Sequence, residues 1–201
     1  DHSTWIYITF KTSINRVMIF CSNERIDDIK KQLVPVITNT WINEKPYQYY
    51  DQWNNQALNE NNPITKNVSE SLYNIFLSRI NTIFKNYTIY EKNDRIVYSY
   101  VSNKDFKNAN WHNHNLTGSI SGVFYLKCVE GCGIKFRNKG QVKYIEPKEN
   151  ELYIFPSNLD HYPLPSTSEE LRISCNMNLM CKESINELFD KHNLFTFNHI
   201  K

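Results

Sequence analysis

Between residues 95 and 179 the chain repeats one pattern, a short run rich in β-branched and aromatic residues followed by Gly, Asn or Pro. The runs fall at 95–101, 119–127, 133–137, 141–145, 151–155 and 171–179. Strand-forming segments this short, punctuated this often, suggest a β-sandwich or barrel. Whatever chemistry the chain carries must therefore be built from residues on or between those strands.

The preceding residues have a different texture. Residues 5–10 and 16–21 read as two strands around a polar turn. Ile26, Ile29, Leu33 and Ile37 are spaced for a helix face, with Pro35 expected to kink or end that helix. Residues 43–66 are polar and aromatic without periodicity, a long loop that could cover an active site or simply be a solvated insertion. The clearest helix is 67–87, where Val68, Leu72, Ile75, Phe76, Ile80, Ile83 and Phe84 form one apolar stripe. A closing helix is expected over 184–192, carrying Ile185, Leu188 and Phe189. No repeat or linker interrupts the 201 residues. We expect one domain, with a helical and strand region over 1–94, a β core over 95–180, and a closing helix and tail over 181–201.

Composition says little about partners. A net charge of +2 with no basic stripe gives no indication of nucleic acid. No apolar run approaches membrane-span length, and the amino terminus has no signal-peptide pattern. The five cysteines are odd in number and scattered. That argues against a disulfide framework and for a reducing compartment, the cytoplasm (or the host cytoplasm for a viral chain). Cys128 and Cys132 lack a second pair, so a zinc knuckle is not expected.

The chemistry concentrates in three pieces. Trp111-His112-Asn113-His114 places two imidazoles one residue apart, just before an apolar strand. On extended chain such residues point to the same side, so both can reach one metal ion. His161 follows downstream at the opening of another strand-like run, and imidazole suits iron, zinc, copper and nickel. A hairpin-like return over 162–171 would bring Arg172 back beside the site. Arg is suited to gripping a carboxylate with two parallel hydrogen bonds, and Ser174, on the same face, could add a hydroxyl. Each residue alone is more often an ordinary surface, core or ion-pair residue. Their joint order on this strand pattern carries the functional reading. His2, His192 and His199 have no such context.

The order of H-N-H, S-I-S-G-V-F-Y-L, F-P-S-N-L-D-H and R-I-S-C-N-M-N-L resembles the 2-oxoglutarate/Fe(II)-dependent oxygenases related to prolyl hydroxylases, in a bacterial and phage branch with an H-x-H motif. The resemblance runs from about residue 95 to 179. It implies an α+β fold with a double-stranded β-helix (jelly-roll, cupin-like) core, amino-terminal helices and a short carboxy-terminal helix. It implies Fe(II), 2-oxoglutarate and O2 as reactants, and hydroxylation of a C–H bond of a peptidyl or small-molecule substrate. His112 and His161 match the two metal histidines, Arg172 with Ser174 matches the grip on the distal carboxylate of 2-oxoglutarate, and Tyr125 is a candidate for the same pocket. Trp111, Asn113, Asn115 and the 43–66 loop are plausible substrate-side elements.

The chain departs from the usual triad of two histidines and a carboxylate. His114 stands where the acid would be, and Asp105 and Glu130 are too distant along the chain to substitute simply. His114 either completes a three-histidine site or leaves that position to water or halide. Three neutral imidazoles would leave Fe(II) its full double charge and strengthen the pull on an anionic co-substrate. Two other readings stay open: a cupin-like three-histidine metalloprotein acting without 2-oxoglutarate, and a non-enzymatic jelly-roll binding module.

Overall fold

The computed structural model describes residues 6–11, 16–44, 63–91, 97–104 and 110–195. Residues 45–62 of the long loop, together with His2, Asp105 and His199, lie outside them. The described residues form nine strands and three helices. β1 (Ile6–Lys11) and β2 (Arg16–Asn23) precede α1 (Asp27–Glu44) and α2 (Pro63–Ile83). There follow β3 (Val97–Ser102), β4 (Ile120–Lys127), β5 (Ile134–Asn138), β6 (Gln141–Ile145), β7 (Glu151–Pro156), β8 (Asp160–Pro163) and β9 (Arg172–Leu179), then the short α3 (Ile185–Leu188).

The strands form two antiparallel sheets. The larger has the order β1-β2-β7-β4-β9-β3 and the smaller β6-β5-β8. The amino-terminal strands are thus part of the large sheet, because β2 pairs with β7 through Phe20–Ile154 and Cys21–Tyr153. β9 shows how sequence period becomes layered architecture. Its residues alternate faces. Ile173, Cys175, Met177 and Leu179 are all fully buried toward the helices, while Arg172, Ser174, Asn176 and Asn178 line a cavity between the sheets. β4 follows the same rule. Ile120, Phe124 and Leu126 join the helix-side core, and Val123 and Tyr125 join the inter-sheet core with Ile134 and Phe136 of β5.

Helix packing fixes the back of the large sheet. Leu72, Phe76, Ile80 and Ile83 of α2 and Leu33 and Ile37 of α1 are fully buried in that core. Gly122 on β4 permits the close approach, since a Cβ there would lie 2.5 Å from the Phe76 ring. α1 does not end at Pro35, one of the two outcomes the sequence allowed, but runs through it. Proline removes one backbone hydrogen bond, at a cost of about 3 kcal/mol, but Leu33 and Ile37 on either side are buried and tertiary packing prevails. α2 begins and ends earlier than expected. Pro63 suits the first helical position, where its missing N–H costs nothing. Past Ile83 the chain is captured by the carboxy-terminal segment, where Phe84 bridges to Leu194 and Lys85 N donates to Asn193 O at 2.7 Å. α3 is a single turn rather than a nine-residue helix, capped by a Ser184–Glu187 capping box.

No described helix is long and apolar enough to cross a membrane. All five cysteines are free thiols.

Candidate metal centre

The backbone sets the histidines before their side chains do. His112 and His161 exchange both backbone hydrogen bonds, His112 N to His161 O at 3.0 Å and His161 N to His112 O at 2.9 Å. This pair adds the segment before β4 to the edge of the small sheet beside β8. Facing residues of such a pair project to the same side. Two residues on, His114 returns to that side, and its N–H donates to Ser157 O at 2.7 Å. The turn after it closes on the His114 carbonyl, which accepts from Thr117 N and Gly118 N at 3.0 Å.

The three rings lie with centroids 4.2, 5.0 and 5.2 Å apart. One ring nitrogen from each comes within 4.8 Å of the others, and among the described residues this is the one group of three or more potential ligand side chains so clustered. The Nδ1 of His112 lies 2.9 Å from Asn110 O, and the Nδ1 of His161 lies 3.0 Å from Leu159 O. A carbonyl only accepts, so each Nδ1 carries the proton and each Nε2 keeps its lone pair for a metal. Burial, and then the neighbouring His112, lowers His161 to about 3 and His114 to about 4, well below the ordinary imidazole value. Both rings are neutral at pH 7, the form that ligates. The donor set therefore fits a divalent transition metal.

The carboxylate next to His161 in the chain is not a member of the cluster. Asp160 precedes His161 on β8 and so faces the opposite side of the sheet. There Asn113 Nδ2 donates to it at 2.9 Å and Arg137 Nη2 at 2.8 Å. These bonds, Arg137's first, hold its carboxyl below the usual range. Arg137 also lies 4.5 Å from the Trp111 ring centre, and Trp111 stacks on Tyr162 at 5.6 Å. Trp111 and Asn113, expected on the substrate side, thus belong to a clamp on the outer face that ties the H-x-H segment to β8. The sequence reading missed Asp160 in this role, although its position one residue from His161 on a strand already assigns it to the opposite face.

The cavity has a volume of about 270 Å3 and is lined by all three histidines and by Arg172, Ser174 and Tyr125. Arg172 is 2% exposed. Its Cζ packs between the rings of Tyr100 and Tyr125, at 5.3 and 5.1 Å from their centres. Its Nε and Nη1 have no hydrogen-bond partner among the described residues. Burial pushes the Tyr125 phenol up to about 12, with the Arg172 charge offsetting only part of the rise. A buried guanidinium with unpaired N–H groups is costly unless an anion meets it. Ser174 Oγ reaches only Asn176 Oδ1, at 3.5 Å. Asn176, Asn178 and Ser121 also line the cavity, and the sequence analysis assigned them no role. The signal was present in R-I-S-C-N-M-N-L, where polar residues recur at every second place.

No protein-family model matches the chain, and no curated protein matches it. Solved structures do. A non-heme alpha-ketoglutarate-dependent carbocyclase, SnoK, from nogalamycin biosynthesis aligns over 79% of this chain and 77% of its own, with 9% identity and a TM-score of 0.55. A prolyl hydroxylase from Trichoplax adhaerens, solved with a peptide fragment of the hypoxia inducible factor oxygen degradation domain, aligns over 86% and 87%, with 13% identity and a TM-score of 0.55. A prolyl 4-hydroxylase from Phytophthora capsici aligns over 82% of this chain and 59% of its own, with 14% identity and a TM-score of 0.57. At such identities the likeness is one of fold. The chain has the α+β architecture of these oxygenases, with a double-stranded β-helix at its core.

Proposed function

We propose that the protein is a 2-oxoglutarate- and Fe(II)-dependent oxygenase that hydroxylates a C–H bond of a peptidyl or small-molecule substrate. The observation that carries this reading is Arg172, a buried cation with two unpartnered nitrogens, opening into the cavity that also holds three clustered neutral imidazoles. One group in that cavity calls for an anion and the other for a metal. A diacid that chelates through its keto end satisfies both, and the shared fold supports the assignment.

In this reading His112 and His161 would hold Fe(II) through their Nε2 atoms and His114 through a ring nitrogen. The carbonyls of Asn110 and Leu159 fix the tautomers of His112 and His161. Arg172 donates to the distal carboxylate of 2-oxoglutarate, with Ser174 and Tyr125 adding hydroxyl groups. The Tyr100 and Tyr125 rings exclude water from that salt bridge and so strengthen it. The bound iron, 2-oxoglutarate and O2 supply the oxidising chemistry. With no carboxylate among the ligands, the metal keeps its double positive charge, which strengthens the hold on the dianion.

The test is an anaerobic visible spectrum of the protein with Fe(II) and 2-oxoglutarate, for wild type and His114→Ala. A metal-to-ligand charge-transfer band in the wild type is expected, weakened or lost in the variant. Persistence of the band in the variant would remove His114 from the ligand set. Bound metal without a band would favour a three-histidine metalloprotein that works without 2-oxoglutarate. No bound metal would favour a binding module.

A further inference from the structure

Two of the three histidines sit on a segment that the backbone holds lightly. It joins β8 through one residue pair, His112 with His161, and has one further backbone bond ahead of its turn, from His114 N to Ser157 O. Side chains on extended chain alternate, so His112 and His114 face inward while Trp111 and Asn113 face outward. Both outward side chains are engaged. Trp111 stacks on Tyr162 of β8 and lies under the Arg137 guanidinium of β5. Asn113 Nδ2 donates to Asp160 Oδ1 at 2.9 Å, and Asn113 Oδ1 accepts from Asn115 N at 3.4 Å.

These ties converge on one carboxylate. Asp160 gives Oδ1 to the H-x-H segment and Oδ2 to Arg137, its register partner on β5, at 2.8 Å. Its own neighbour in the chain is His161. One side chain thus fastens β8, β5 and the H-x-H segment together on the face opposite the imidazoles. Turning the segment about its single bridge would carry His112 and His114 away from His161, and the bond from Asn113 to Asp160 resists that turn. The Arg137 and Asp160 side chains are 41% and 34% exposed. An ion pair this open to water adds little to the stability of a whole domain, so its loss should be felt at the site it braces.

We propose that Asp160 is a positioning residue of the metal centre, whose two carboxylate oxygens lock the H-x-H segment against β8 and so preset the three imidazoles for one divalent ion. This rests on the three-histidine metal reading and is independent of the reaction. Asp160 acts from behind the ligands and lies outside the cluster that would touch the ion. Groups that orient ligands in this way typically change metal affinity 10- to 100-fold when removed. Asn113 is the link through which the effect passes, so the two residues act as one unit.

The experiment measures Zn(II) affinity by competition with a chromophoric chelator, for wild type, Asp160→Ala, Asn113→Ala and the double variant, beside thermal melts of the same proteins without metal. Asp160→Ala is expected to weaken Zn(II) binding at least about tenfold while the metal-free melting temperature moves by no more than about 4 °C. Asn113→Ala should weaken binding in the same direction. The double variant should bind no more weakly than Asp160→Ala, because residues in one hydrogen-bonded unit are not additive. Equal Zn(II) affinity in wild type and Asp160→Ala overturns the assignment, as does full additivity of the two substitutions. Loss of the fold in Asp160→Ala also overturns it, since the carboxylate would then serve the whole domain. A wild type that binds no Zn(II) overturns the three-histidine metal reading and this inference with it.

Discussion

Glu24 and Arg172 are both buried charges, and the fold treats them in opposite ways. Glu24, on the turn from β2 to α1, is closed on every side. Its Oε1 accepts from Ser22 Oγ and from Arg79 Nε, each at 2.6 Å, and its Oε2 from Arg79 Nη2 at 2.8 Å. That pair fastens the turn to α2 and gives the carboxylate its own counter-charge. Arg172 has aromatic faces on two sides and nothing on two of its nitrogens. A buried charge that serves architecture carries its own counter-charge, whereas on the proposed reading Arg172 receives its counter-charge from the co-substrate.

The comparison can be broken by removing each charge in turn. Replacing Arg172 with Met should lower 2-oxoglutarate affinity of the metal-loaded protein at least about 100-fold, the worth of a charge-assisted bidentate contact at roughly 3 kcal/mol. The melting temperature of the unliganded protein should not fall, because an unsatisfied charge is replaced by an apolar chain of similar length. Calorimetric titration and thermal melts read the two effects separately. Arg79→Met should do the reverse. It strands the Glu24 carboxylate, costs about 3 kcal/mol of stability, and leaves the 2-oxoglutarate affinity of the folded protein nearly unchanged. If both substitutions destabilised alike, the distinction between closed and open charges would be lost.

Two smaller effects sharpen it. Gly122→Ala forces the Phe76 ring away from β4 and should cost about 1–3 kcal/mol in chemical denaturation, with the metal centre on the other face of the sheet unaffected. In the metal-free protein, His161 titrates near 3 when folded and near 6.5 when unfolded. The unfolded chain therefore binds more protons between those values, so stability falls as pH drops below about 6.5. The expected loss is on the order of 1–2 kcal/mol by pH 5. Melts of chelator-treated protein should show at least this slope, and His161→Leu should reduce it, the remainder coming from His114, which burial also lowers, to about 4.

Much of this was legible in the sequence because strand chemistry is local. The runs that became β4, β5, β6, β7 and β9 carry their own period and punctuation, and H-x-H needs only extended backbone to put two rings on one side. What was not legible depends on contacts between distant segments. Pro35 sits inside a helix because Leu33 and Ile37 are buried against partners far along the chain. β8, only four residues long, exists because β5 pairs with it. The joining of β2 to β7 has no local signature. Asn178 was passed over for a different reason. Its side chain is an ordinary polar one until Ser121 is seen to donate to it.

The central claim is that the three histidines and Arg172 serve one ligand set. The most direct test is the dissociation constant of 2-oxoglutarate with and without a bound divalent metal, Mn(II) or Zn(II), measured by calorimetry on the wild-type protein. The account predicts at least about tenfold tighter binding with metal present, and by linkage a metal affinity raised by the same factor when 2-oxoglutarate is bound. Equal affinity in both states would mean that Arg172 and the histidines act on separate ligands, and would contradict it.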